Sequence, residues 1–190
     1  MDTVILGTLI KKMNRGLLMK SSEMESIISY TQTPYEYLKI GNIENGLITG
    51  EPTYLKSIDD KLMKYCIQNN NLVITKTGLP HKLFVAQNVN DRYIIANGNL
   101  FFIELDLDKV DPFYLASYLN SDKGKIQLMD ASCGELLPSM NVSKFKAMEI
   151  PLPDMDEQHR IGKIYQDILQ NIEKYNQQLA LEIDKLNHIL

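Results

Sequence analysis

Lys76, Thr77, His81 and Lys82 fall in one short polar stretch, Lys76-Thr77-Gly78-Leu79-Pro80-His81-Lys82, between two apolar runs. Ammonium, hydroxyl and imidazole groups on a Gly/Pro-punctuated loop can donate to phosphate oxygens and to base edges. An ordinary solvated turn would share that composition. Lys11, Lys12, Asn14 and Arg15 form a second donor patch; with Lys20, its cations oppose only Asp2 in the first stretch of chain. Arg92, with Tyr93, opens a later apolar run and either reaches a phosphate or packs. Ser139, Asn141 and Lys144 belong to a loop better suited to steadying a junction. His159 and Arg160 suit contact with a partner subunit or the preceding domain.

Catalytic constellations do not appear. His81, His159 and His188 with Cys66 and Cys133 lack zinc-ligand spacing. No glycine-rich phosphate loop is present, and no serine or cysteine can be matched with its own base. Asp111-Pro112-Phe113-Tyr114 is close to the Asp/Asn-Pro-Pro-aromatic motif that holds a flipped base in amino-methyltransferases. Its second proline is missing, and no methyl-donor loop precedes it. A proline-started helix carrying Phe113, Leu115 and Leu119 into a core fits better. Pro153-Asp154 likewise reads as a helix start, since no Glu-x-Lys follows to complete a nuclease motif.

The elements that must position these groups divide the chain into 1–150 and 151–190. At 190 residues with 44% hydrophobic content there is material for one compact domain and an appendage. In the first part, strands are expected at 37–40, 72–75 and 83–86, a turn at Asn45-Gly46, and short helices near 61–67, 112–119 and 121–129. Residues 3–10 suit a strand or short helix, and 21–30 a short helix or polar excursion. Arg92–Ala96 and Leu100–Leu105 flank Asn97-Gly98-Asn99 as a hairpin candidate. Without a regular βαβ rhythm, the expected fold class is α+β, with a mixed, partly curled sheet and short helices.

From Asp154 the pattern changes to one long helix. Asp154 suits the N-cap, and Asp156 and Glu157 suit the positive helix end. Ile161, Tyr165, Ile168, Ile172, Tyr175, Leu179, Leu186 and Ile189 recur at coiled-coil spacing, with only Glu182 interrupting them. Such a helix outruns the domain before it and calls for a partner helix.

Several segments resemble the specificity (S) subunits of Type I restriction-modification systems. Leu72 to Gly78 is similar to that family's strand-and-loop segment, Asp108 to Ser121 to its helix, and Cys133 to Asn141 to its glycine loop. Ile150-Pro151-Leu152-Pro153 with Glu157-Gln158-His159-Arg160-Ile161 is similar to its junction motif. Cys133 and Leu136-Leu137 depart from the small and polar residues usual in the glycine loop. The resemblance implies a target recognition domain over 1–150 that reads half of a bipartite site in double-stranded DNA. It implies a helical spacer over 151–190, present once where full-length subunits carry two. A half-subunit forming a homodimer follows, with modification (methyltransferase) and restriction subunits as partners. S-adenosylmethionine would belong to the modification subunit, leaving this chain without a cofactor and without catalysis.

Charge and location bear on that expectation. The net charge is −4, and residues 151–190 hold most of it, so the first 150 are about neutral. This weighs mildly for the competing class, an α+β protein-interaction module with a dimerising coiled coil that never touches DNA. A silent cassette from a rearranged specificity gene is a further alternative. Two cysteines cannot frame a disulfide scaffold, no secretory signal is evident, and Val4–Ile10 is too short to span a bilayer. A cytoplasmic protein without membrane contact is expected.

Overall fold

The computed structural model describes residues 2–189. The chain begins with β1 (Thr3–Ile5), a 3-10 turn (Leu6–Leu9) and β2 (Ile10–Arg15), then α1 (Ser21–Ile27) and β3 (Ile28–Ser29). Next come β4 (Tyr35–Leu38), β5 (Ile43–Glu44), β6 (Leu47–Ile48), β7 (Thr53–Leu55) and α2 (Asp60–Met63). The central run is β8 (Leu72–Thr75), β9 (Leu83–Val85), β10 (Tyr93–Ala96) and β11 (Leu100–Leu105). The remainder comprises α3 (Pro112–Asn120), α4 (Asp122–Asp130), β12 (Ser132–Cys133), β13 (Ser139–Met140), α5 (Val142–Lys146), β14 (Glu149–Pro151) and α6 (Met155–Asn187).

The central sheet has the order β2-β11-β8-β9, antiparallel throughout, and both of its faces are covered. Leu72, Ile74, Leu83, Val85, Phe101 and Ile103 pack with Phe113, Leu115 and Leu119 of α3 and with Phe145. The alternate residues Val73, Phe84, Leu100 and Phe102 meet Leu38, Ile94 and Ala96 of the second sheet. Period-two alternation thus sends neighbouring side chains into two different cores. It explains why these strands read as unbroken apolar runs. The second sheet, β10-β4-β7-β3, is mixed: β10 and β4 run parallel. Its other face, with Tyr37 and Ile95, is covered by Met24 and Ile27 of α1 and by Leu62 of α2. The α+β class with a mixed sheet and a long C-terminal helix is what the structure has.

The expected hairpin across Asn97-Gly98-Asn99 does not form. β10 and β11 belong to different sheets, because the end of β2 comes between them. Gly16 N–H donates to Leu100 O and Leu17 N–H to Ala96 O, at 2.9 and 2.7 Å. Only glycine fits there, since a Cβ on Gly16 would lie 2.1 Å from Asn97 O. The Asn45-Gly46 turn does join a hairpin, β5 to β6, with φ of 48° and 80° at its two central residues. Both positive angles suit the right-handed strand twist.

α6 is a 33-residue helix, roughly 50 Å long at 1.5 Å per residue. Asp154 caps it, accepting from Glu157 N–H at 2.9 Å. Its first four turns lie along α3. Gln158 is only 2% exposed and stitches the two together. Its Oε1 accepts from Asp111 N–H at 3.0 Å, and its Nε2 donates to Pro153 O at 2.9 Å and Lys109 O at 3.4 Å. Gly162 allows the close approach: a Cβ there would sit 2.6 Å from Asp111 Oδ1 and 3.2 Å from Tyr114 N.

Ile161 and Tyr165, expected on the partner seam, are instead packed against the domain's own core. Tyr165 Oη accepts from Asn120 Nδ2 at 2.6 Å, and burial raises its pKa. Leu169 is buried, and a side chain on Gly46 would touch both it and Tyr165. At 100° per residue the domain-facing side adjoins the heptad seam, so the domain covers the seam's first two members. From Ile168 on the stripe is largely bare: Ile168 is 48% exposed, Tyr175 68%, Leu179 59% and Leu186 54%, with Ile172 half-buried.

Candidate nucleic-acid interface

The central-sheet register puts the expected DNA-binding residues other than Arg92 at two ends of one sheet. Arg15 lies opposite Phe101, and Phe101 opposite Ile74, so Arg15, Lys76 and Lys82 share one end. Lys11 and Lys12 lie at the other, beside Glu104 and Leu105. β2 is an outer strand that runs from one end to the other, about 13 Å between Lys11 and Arg15 at 3.3 Å per residue. Cations on an outer strand also keep its edge from pairing with other chains.

At the first end, a ridge is built from backbone hydrogen bonds between three loops. Lys76 N–H donates to Asn99 O at 2.7 Å, Met140 N–H to Lys76 O at 2.8 Å, and Gly78 N–H to Pro138 O at 2.9 Å. Thr77 bridges to Ser139. Arg15 Nε donates to Gly98 O at 2.8 Å, which anchors its side chain while the residue stays exposed. Leu136 and Leu137 stand exposed beside the ridge. Lys82 is half-buried and paired with Glu44 at 2.6 Å, so its charge is compensated within the molecule.

His81 departs from expectation: it lies in the interior, 4% exposed, and cannot reach DNA from there. Its Nδ1–H donates to Thr75 O at 2.8 Å, and Nε2 lies 2.7 Å from the Ser132 hydroxyl. The ring ties the β8–β9 loop to β12, and burial lowers its pKa below 6.5. The unfolded chain therefore takes up a proton that the folded chain refuses. Stability should fall as pH drops below about 6.5 and level off once it passes the folded value. Melting temperatures of the wild type and a His81→Gln variant between pH 7.5 and 5 should differ in slope, the variant being flatter; parallel slopes would sink this account.

Other expected contacts also have internal partners. Glu36 grips the Arg92 guanidinium with both oxygens, at 2.5 and 2.7 Å, and this bonding raises the arginine pKa. Lys11 is 3.4 Å from Asp106, whose pKa is lowered by its bonds to Lys109 and to Lys11. Asn141 caps α5 through Lys144 N–H at 3.0 Å, a junction role. His159 faces Asp111 of the domain at 3.9 Å, and Arg160 pairs with Glu157 on its own helix.

At the second end lies an open groove of about 710 Å³, lined among others by Lys12, Asn14, Lys64, Gln68, Asn70 and Glu104. Sequence reading took Asn69-Asn70-Asn71 only as a helix stop. The run of amides was the available signal, but nothing local shows which of them face outward. Among the described residues no helix is long and apolar enough to cross a membrane, and no group of His, Cys, Asp and Glu could hold a metal ion.

Comparison with known proteins agrees with this architecture. A family model described as "Type I restriction modification DNA specificity domain" matches residues 2–183. The S subunit of a Type I system from M. genitalium superposes with a TM-score of 0.66 at 14% identity, covering 95% of this chain and 42% of that one. A chain from a structural study of Type I complex assembly and conformational transition gives 0.64 at 16% identity, covering 99% and 43%. The HsdS subunit from Thermoanaerobacter tengcongensis gives 0.59 at 16%, covering 93% and 39%. This chain thus spans about two-fifths of the solved chains it matches. No curated protein matched. With its fold, its junction motif and most of its length accounted for, the chain belongs to the Type I restriction modification DNA specificity domain family.

Proposed function

We propose that this chain acts as a half-length specificity subunit, one target recognition domain reading one half of a bipartite site in double-stranded DNA. Two copies pair through the outer stripe of α6 into a C2 dimer, which presents two identical readers to an inverted, gapped site. Modification subunits dock on that scaffold and bring the S-adenosylmethionine chemistry; the restriction subunit joins the same assembly. The chain itself supplies no catalytic group, and the complex works in the cytoplasm. The observation that carries this reading is the bare stripe. Ile168, Tyr175, Leu179, Ile183 and Leu186 are each about half exposed or more on one helix. About 27 Å of helix lies beyond Leu169, its last buried residue, at 1.5 Å per residue. An apolar row of that length is covered in a stable protein, and an identical helix is self-complementary to it.

Phosphate contacts come from β2 and the ridge: Lys12, Arg15 and Lys76, unlike Lys11, Lys82 and Arg92, form no ion pair among the described residues. Footprinting with the modification subunit of the same system tests the reading. Protection of two half-sites separated by an unprotected gap is expected. The competing class, an interaction module that never binds DNA, is favoured by the net charge of −4 and predicts no protection.

A further inference from the structure

The groove at the Lys12 end of the central sheet sorts its amides into two kinds. Asn69 is engaged inside the molecule: Val89 N–H donates to its Oδ1 at 3.1 Å, and its Nδ2 donates to Asn90 Oδ1 at 2.6 Å. Asn71 is 6% exposed, and its Oδ1 accepts from Gln68 N–H at 2.9 Å. Asn70 N–H donates to Ala86 O at 2.9 Å, and Ala86 N–H to Asn71 O at 2.9 Å, so the loop is hydrogen-bonded to the residue following β9. These bonds hold a rigid loop in which Asn70 adopts φ of 66° and turns outward with Gln68, both exposed. Among the described residues, the side chains of Gln68, Asn70, Asn14 and Lys12 make no hydrogen bond to the protein. The loop thus holds the backbone of Gln68 and Asn70 in place and leaves their amides free for an outside partner.

A side-chain amide offers a donor and an acceptor side by side, which matches the N6/N7 edge of adenine in the major groove. A backbone fixed in advance removes part of the ordering cost of each contact, leaving only the side chains to settle. Lys12 and Lys64 stand at the groove as cations for the flanking phosphates, with Glu104 opposite Lys12 in the strand register. Near-neutral charge, with several free amides, suits reading of bases more than bulk attraction to phosphate.

We propose that Gln68 and Asn70 are base-reading residues of this chain, with Lys12 supplying a phosphate contact beside them. This rests on the reading that the chain recognises DNA. The test enriches a random-sequence duplex pool on the chain co-purified with the modification subunit of its own system, wild type against Gln68→Ala/Asn70→Gly. Glycine at 70 keeps the left-handed backbone accessible. The wild type should enrich a gapped motif. The variant should keep the gap and most positions, lose base preference at one or two adjacent positions of each half-site, and bind the wild-type site about 10- to 100-fold more weakly. Lys12→Ala should weaken all sequences alike and lower the salt slope by about one.

An unchanged motif in the double variant overturns the proposal. So does a variant that no longer assembles with the modification subunit, because the groove would then be a protein contact. If the wild type enriches no sequence, the DNA reading itself fails, a different result from wild-type enrichment with an indifferent variant. Unchanged melting temperatures separate either effect from misfolding, since these side chains hold nothing in place.

Discussion

Replacing Gly162 by Ala should lower the melting temperature, against the usual sign for a glycine inside a helix. Elsewhere in a helix the change stabilises by about 1 kcal/mol, through reduced backbone freedom in the unfolded chain. At 162 the added methyl would meet Asp111 Oδ1 at 2.6 Å and Tyr114 N at 3.2 Å. Asp111 cannot step aside freely. Its Oδ1 already accepts from Phe113 and Tyr114 N–H, capping α3. Its own N–H is held by Gln158. Gly162→Leu would add overpacking of about 1–3 kcal/mol to a weakened cap of about 1 kcal/mol. A loss near 3 kcal/mol corresponds to roughly 6–12 °C in a domain of this size. Thermal unfolding by circular dichroism reads both variants; a rise with Ala would show that α6 does not seat on α3 as described.

Leu179→Asp together with Leu186→Asp should turn the proposed dimer into a monomer without harming the domain. Burying each such side chain contributes about 1.5–3 kcal/mol, and a two-fold interface loses each one twice. The total, about 6–12 kcal/mol, would weaken pairing by at least about four decades. Leu179 is 59% exposed and lies beyond Leu169, the last buried residue of the helix, so the fold does not depend on it. Footprints with the modification subunit should then collapse from a gapped pair to a single half-site or vanish. A double variant that sediments like the wild type would place the interface elsewhere.

How much was visible in the sequence followed the range of the interactions. Local signals were reliable. The caps Asp111 and Asp154, the Asn45-Gly46 turn and the apolar runs of β8, β9 and β11 each announce themselves within a few residues. Long-range pairing stayed hidden. Nothing near Asn97-Gly98-Asn99 reveals that Gly16 and Leu17 will separate β10 from β11. His81 looked like a loop donor because its partners, Thr75 and Ser132, come together only in the fold. Ile161 and Tyr165 fit the heptad, yet α3 covers them, since the domain face and the seam are adjacent stripes on one helix. Gln158 was recognised only as part of a junction motif; the structure supplies its reason, a buried amide joining Asp111, Lys109 and Pro153. The candidate interface was the least legible part. Which of three consecutive asparagines points outward depends on hydrogen bonds to Val89, Asn90 and Gln68.

The pairing of two identical halves is the claim on which the rest depends, and the solution mass of the chain tests it most directly. Light scattering across a concentration series should give twice the 21.8 kDa chain mass for the chain alone. Two copies should also be present per assembled complex. A mass of 21.8 kDa at every concentration, with one copy in the complex, would contradict the account.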